Sequence, residues 1–290
     1  MTMNDQMRRI AKFAGGGGMA LGIIAILVAQ FLDGGSIRSL FDPSALVLVL
    51  FGTMGATLAA RPFEDLFRTP GWFRMIFASA NQRDPIVERD VLLEFARRAR
   101  REGLLRLDSL AAELTDGYLQ RGIQMVVDGI DHETIDTLLY AERKAHFQND
   151  SRGATFFETA GGFSPTLGII GTVVGLISVL SNITDVARLA PSIATAFTAT
   201  LWGVLLANIL WLPGGSRLRT MAEETRFVRE LQAVGVVSIA LGHTPAQTER
   251  QLEAMLAGHH VASGAAQANP PGEGAQAPAA DFDSPEGAAR

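Results

Sequence analysis

Four long stretches of this 290-residue chain are apolar and free of charge: Phe13–Leu32, Pro43–Ala60, Thr159–Thr184 and Leu189–Ser216. A hydrocarbon layer of about 30 Å is bridged by about 20 helical residues, so each stretch can cross one. No backbone group can be left to lipid, which restricts such crossings to helices or closed barrels. None of the four stretches carries an acid, a histidine or an amide pair able to hold an ion alone. The expected fold class is therefore an all-α integral membrane protein, a helical wall whose titrating group comes from a partner.

The mean hydropathy of +0.19 is modest because a charged middle section offsets the four apolar runs. The absence of cysteine excludes disulfides, thiolate metal sites and cysteine catalysis. Arg8, Arg9 and Lys12 precede the first run as they would in a signal peptide. That run is too long, however, and ends in Phe31-Leu32-Asp33 without a small-residue cleavage site, so a retained first span is expected.

Orientation follows from the arginines. The N-terminal segment 1–14, the stretch 62–158 and the segment after the fourth run (Arg217, Arg219, Arg226, Arg229) are basic-rich. The loop 33–42 has only Arg38, and the loop between the last two runs has only Arg188. The positive-inside rule places the three basic-rich parts, both termini included, in the cytoplasm. Two transmembrane hairpins are thus expected, over 15–61 (spans 15–32 and 44–60) and 159–213 (spans 163–182 and 192–212). Between them lies a helical cytoplasmic domain, and after them a helical segment 214–257.

Within the cytoplasmic insert, helical spacing is clear in Val91, Leu92, Phe95 and Ala99 and again in Leu104, Leu107, Leu110, Ala111 and Leu114. Another helical run, Ile135–Phe147, leads toward the third span. The later helical segment breaks near Gly242-His243-Thr244-Pro245. From Gly258 the chain is Ala, Gly, Pro and small polar residues, a composition that predicts a disordered tail over 258–290. His259 and His260 fall in it and are expected to be solvated.

Gly168, Thr172 and Gly175 share one face of the third span, and Gly171 with Gly175 makes a GxxxG step. Ala196, Thr200, Gly203 and Ala207 repeat the pattern in the fourth. Such stripes let helix backbones approach closely in lipid. The threonine hydroxyls have three uses open to them: packing, back-bonding to their own helices, or ligating a small cation. Pro165 is expected at the cytoplasmic start of the third span, where its missing N–H costs nothing. Pro213 is expected to end the fourth, with Trp211 as an interfacial anchor beside it.

The strings Pro165-Thr-Leu-Gly-Ile-Ile-Gly-Thr172-Val-Val-Gly-Leu176, Ala196-Phe-Thr-Ala-Thr200-Leu-Trp-Gly203 and Ala207-Asn208 resemble the MotA/PomA stators of the bacterial flagellar motor. So does the cytoplasmic string Ala99-Arg100-Arg101-Glu102-Gly103-Leu104-Leu105-Arg106-Leu107-Asp108. The resemblance covers roughly residues 15–255. It implies an inner-membrane, pentameric ring of this chain around a dimer of a MotB/PomB-type subunit. That subunit brings one membrane helix per copy, an essential aspartate and a peptidoglycan anchor. Proton or sodium flow through the assembly would be converted into torque, with no cofactor.

Residue by residue, Pro165 and Pro213 match prolines of the family that couple ion passage to cytoplasmic movement. Thr172 and Thr200 match threonines linked to sodium use, where a sodium ion would rest transiently. Arg100 and Asp108 match opposed charges that engage the rotor protein FliG. Read as one helix, that pair spans about 12 Å, too far for a close ion pair. Trp202 stands where the family often has tyrosine.

The runner-up is an ExbB/TolQ-type energy transducer serving the outer membrane, and a third reading is a membrane scaffold without transport. An enzyme is not expected: no nucleotide loop or catalytic triad is present, and the glycine run 15–18 has neither a preceding strand nor a following Gly-Lys-Ser/Thr. Lipid and protein partners are expected, and nucleic acid is not.

Overall fold

A computed structural model describes residues 21–25, 27–32, 34, 40–77, 83–181 and 186–268, with side chains left out at 186–188 and 260–268. The glycine run 15–18, the basic N-terminus, Arg38 and the segment from 269 onward lie outside the described residues. The described chain is helical. The elements are α1 (Leu21–Leu32), α2 (Pro43–Ala60), α3 (Glu64–Phe77), α4 (Pro85–Glu102), α5 (Leu107–Ala111), α6 (Gly117–Val127), α7 (His132–Ser181), α8 (Val186–Leu206), α9 (Leu212–Ala240) and α10 (Pro245–Ala268). A 3₁₀ turn, Leu104–Arg106, precedes α5, and a π-helical turn, Ala207–Trp211, joins α8 to α9. Three helical stretches are long and apolar enough to cross a membrane: Pro43–Ala60, the apolar part of His132–Ser181, and that of Leu189–Ala240. The apolar helix Leu21–Leu32 is shorter.

Helix starts follow local chemistry. The Asp42 carboxylate accepts from the Ser44 and Ala45 amides at 2.9 and 3.4 Å, with Pro43 in the first turn. Asp84 before Pro85 and Asp116 before Gly117 repeat the device for α4 and α6. Gly103 at φ 87° ends α4, a conformation that costs glycine little.

Two expected boundaries are not there. The run Ile135–Phe147 and the third span are one continuous 50-residue helix, α7. Pro165 therefore lies inside a helix and not at its start, because its neighbours continue the helical path on both sides. The helical path does not stop at Pro213 either: the π turn leads into α9, with the proline in its first turn. The break at Gly242 is present, with φ 70°. α10 runs to Ala268, past the expected start of a tail at 258, and the His259 ring stacks on Phe227 with centroids 3.7 Å apart.

Two cores hold these helices. One joins α4, α6, the start of α7, the end of α9 and α10 through Leu92, Leu119, Ile123, Ile135, Leu231 and Leu252, all fully or nearly fully buried. Inside it the Gln232 amide donates to Glu88 at 2.5 Å and to Asp116 at 2.6 Å, while Arg83 pairs with both carboxylates. The second core is aromatic: Phe156, Phe157 and Trp211 are buried against Trp72 and Phe73 of α3. Trp211 is thus a core residue and not an exposed anchor; its exposure is 1%. It is drawn inward because α3 folds back against α7 and supplies a ring surface there.

Candidate functional site

The small-residue stripes of the third and fourth runs pack against each other. A methyl placed on Gly168 would lie 3.0 Å from the Ala199 carbonyl and 3.1 Å from the Thr200 Cα. On Gly203 it would lie 2.8 Å from the Ser164 carbonyl, and on Gly175 2.6 Å from the Ala196 Cβ. These are backbone-to-backbone approaches that only small residues permit. The fully buried Ser164 hydroxyl donates to the Gly203 carbonyl at 2.9 Å, a polar tie across the seam.

Thr172 and Thr200 meet in this seam, their hydroxyl oxygens in direct hydrogen-bond contact. Around them, Thr172 reaches the carbonyls of Gly168 and Ala196 at 3.2 Å, and Thr200 reaches that of Gly168 at 3.3 Å. Thr172 back-bonds to its own helix, at Gly168, whereas Thr200 bonds across the seam; the pair stays half-buried, with packing and cation ligation both open to it. Two hydroxyls offer two protons to this set of oxygens, so lone pairs remain for a cation.

One side of the α7–α8 pair is covered and the other is open. α2 sits against Leu167 through Gly52 and against Gly171 through Leu48. At 3.6 residues per turn, Pro165, Ile169, Thr172 and Leu176 line the opposite side of α7. On α8, the Trp202 indole donates to the Leu40 carbonyl at 2.7 Å, toward the start of α2. Phe197, Val204 and Asn208 turn away from it and are exposed. The threonine pair therefore borders an exposed, carboxylate-free face of the α7–α8 pair.

Both prolines leave carbonyls short of a donor. Pro165 has no N–H for the Gly161 carbonyl one turn back. The Leu212 N–H bonds to the Ala207 carbonyl in the π turn, and Pro213 has none to give the next carbonyls, those of Asn208 and Ile209. The two places are neighbours, because a methyl on Gly161 would lie 2.5 Å from Leu212 Cδ2.

Arg100 and Asp108 are both exposed, and neither joins an ion pair among the described residues. They do not share a helix: Gly103 breaks the path between them, so Arg100 is in the last turn of α4 and Asp108 in α5. The surrounding charges are largely matched, with Glu94–Arg98 and Glu102–Arg106 pairs. The hydrogen bond from Arg98 holds Glu94 below the usual carboxylate range.

Two charged groups at the ends of the charge-free runs were not singled out from sequence. Arg219 makes a two-pronged pair with Glu158 at 2.7 and 2.6 Å, which raises the Arg219 pKa. Asp65, fully buried, lies 3.2 Å from Arg61 and 2.9 Å from Arg152, as charge pairs and not as aligned hydrogen bonds. The available signal was position: Glu158 directly precedes the charge-free run, and Arg61 with Asp65 directly follow another.

Residues 111–231 match the MotA/TolQ/ExbB proton channel family. "Motility protein A" of Bacillus subtilis (strain 168) is 33% identical over 235 residues, covering 81% of this chain and 87% of that protein. The flagellar MotAB stator complex from Bacillus subtilis contains a chain similar at a TM-score of 0.74 and 33% identity, covering 82% of this chain and 94% of that one. C. jejuni MotAB gives a TM-score of 0.78 at 25% identity, covering 84% and 95%. A glycine-lined helix seam, three membrane-length apolar stretches and likeness along four-fifths of its length make this chain a multi-pass membrane protein that belongs to the MotA/TolQ/ExbB proton channel family, among the motility protein A relatives.

Proposed function

We propose that the chain is the ring-forming stator subunit of a bacterial flagellar motor, converting proton or sodium flow into torque together with a MotB/PomB-type partner. The observation that carries this reading is the exposed face beside Thr172 and Thr200. It is lined by apolar side chains, hydroxyls and carbonyls, and it has no acid of its own. A partner helix bearing a carboxylate would complete it. An intramembrane carboxylate is costly unless ions service it, so loading and release would take place on that partner.

In this reading α1 and α2 face lipid, and α7 and α8 face the bore of a five-membered ring in the inner membrane. The chain crosses four times, with both termini in the cytoplasm; the arginine distribution supports that orientation. Pro165 and Pro213 couple ion passage to movement of the cytoplasmic helices. Arg100 and Asp108, exposed at the tip of α4 and on α5, meet a FliG-type rotor protein. The charges there act mainly by steering, since exposed pairs are each worth about 0–1 kcal/mol.

The test is complementation. The chain and its partner are expressed in cells lacking stators, and swimming speed is followed as sodium is withdrawn at fixed membrane voltage, and again as the pH gradient is collapsed. Restored motility that follows one of the two gradients is expected. Stable membrane insertion with no motility and no ion flux refutes the reading.

A further inference from the structure

Asn208 stands out among residues that the seam does not use. It lies in the exposed stripe of α8 with Phe197 and Val204, about 12 Å of helix inside the end of the charge-free run at Ser216. Its Nδ2 donates to the Val204 carbonyl at 2.9 Å. Its Oδ1 makes no hydrogen bond among the described residues. An amide oxygen at that depth gains nothing from lipid, so it faces a polar or ionic partner.

Its setting supplies more oxygens. Asn208 is the second residue of the π turn Ala207–Trp211, and such turns free backbone groups from the α-helical ladder. Pro213 leaves the carbonyls of Asn208 and Ile209 without its N–H, and Pro165 does the same for Gly161, which abuts Leu212. The Asn208 carbonyl and its amide oxygen thus stand on one residue of the π turn, near the level where Gly161 of α7 abuts Leu212. That level is on the cytoplasmic side of the Thr172–Thr200 contact, because Gly161 precedes Thr172 and Asn208 follows Thr200 along helices of opposite direction. Neutral oxygens in this arrangement suit a monovalent cation, bare or as a hydrated proton, that must bind weakly enough to leave.

We propose that Asn208, through its amide oxygen and the backbone carbonyl that Pro213 leaves free, forms a second ion station through which the cation passes between the threonine pair and the cytoplasm. This rests on the reading that α7 and α8 line an ion path. It gives Pro213 a chemical role, the release of a ligating oxygen, in addition to any role in bending.

The experiment uses the complete complex of this chain with its MotB/PomB-type partner, reconstituted in liposomes. Influx is read under a pH gradient and, separately, under a sodium gradient, with ring assembly checked on native gels. Asn208→Leu, Asn208→Ala and Asn208→Gln are compared with the wild type. The leucine and alanine variants, or whichever of them assembles, are expected to conduct roughly tenfold less or worse, the loss of one oxygen ligand to a charge. The glutamine variant, which keeps an amide oxygen, should stay within about threefold of wild type on the same scale. Wild-type flux with unaltered flux in Asn208→Leu or Asn208→Ala overturns the station and leaves the stator reading intact. Loss of the ring in all three variants also overturns it, since Asn208 would then hold subunits together. Absence of flux in the wild-type complex refutes the underlying reading instead.

Discussion

The Ser164 hydroxyl donates to the Gly203 carbonyl at 2.9 Å, and the Ser164 carbonyl lies 2.8 Å from where a Gly203 Cβ would stand. The two helices are therefore tied and held apart at the same point, by the backbone of one against the backbone of the other. Gly203→Ala should force α7 and α8 apart, because backbone cannot give way as a flexible side chain can. Overpacking of this kind costs about 1–3 kcal/mol. A lowered melting temperature of the detergent-extracted complex checks it, with Gly162→Ala, where nothing lies within 4 Å of the added carbon, as the unaffected control.

The threonine contact separates shape from hydroxyl chemistry. Thr172→Val keeps the volume and removes the hydroxyl that reaches Thr200, Gly168 and Ala196. Association of the helices should weaken by about 0.6–2 kcal/mol. Ion-driven swimming should fall, while Thr172→Ser retains most of it. Equal swimming in Thr172→Val and wild type would show that the hydroxyl serves packing alone.

At the exposed end of α4, single charge reversals should be mild. Arg100→Glu or Asp108→Arg alone removes a steering charge worth about 0–1 kcal/mol, so swimming speed should drop less than about fivefold. The double variant should fall further, with ion flux unchanged. Measuring flux and speed in the same strains checks this, and a parallel loss of flux would mean a folding defect in the α4–α5 turn.

Gln232 is fully buried and shares its amide between Glu88 and Asp116. Gln232→Leu strips both carboxylates of that donor and should destabilise the packing of α4, α6 and α9 by about 1–3 kcal/mol. Gln232→Glu adds a third carboxyl, whose folded-state pKa is raised by its acidic neighbours and by burial. Its stabilising protonated form is lost as pH rises, so this variant should melt at progressively lower temperature from acid to neutral pH. Melting curves across that range, compared with wild type at each pH, check the sign.

Much of the architecture was legible because lipid forces a simple code: long uncharged runs became apolar helices, and the glycine and threonine stripes met as their spacing implied. What was not legible came from tertiary override of local rules. Pro165 reads as a helix start, yet packing of Phe156, Phe157 and Ala160 on one side and Gly168 on the other carries α7 through it. Pro213 reads as a stop, but one extra residue in a π turn restores the path. Trp211 reads as an interfacial ring until α3 folds over it. The Asp65–Arg61–Arg152 group joins residues about ninety positions apart, and no local pattern announces such a partner. Asn208 was visible only as part of a motif, since its freed backbone oxygen depends on which carbonyls Pro213 fails to serve.

The uninterrupted course of α7 has a mechanical meaning. At about 1.5 Å per residue its fifty residues form a rod about 75 Å long, and Pro165 divides it into arms of about 50 and 24 Å. A swing of about 5° at that point would carry the His132 end through about 4 Å, most of one helical turn. Ångström-scale adjustments inside the bilayer would thereby reach the remote surface as a stroke, because α7 is continuous on both sides of Pro165.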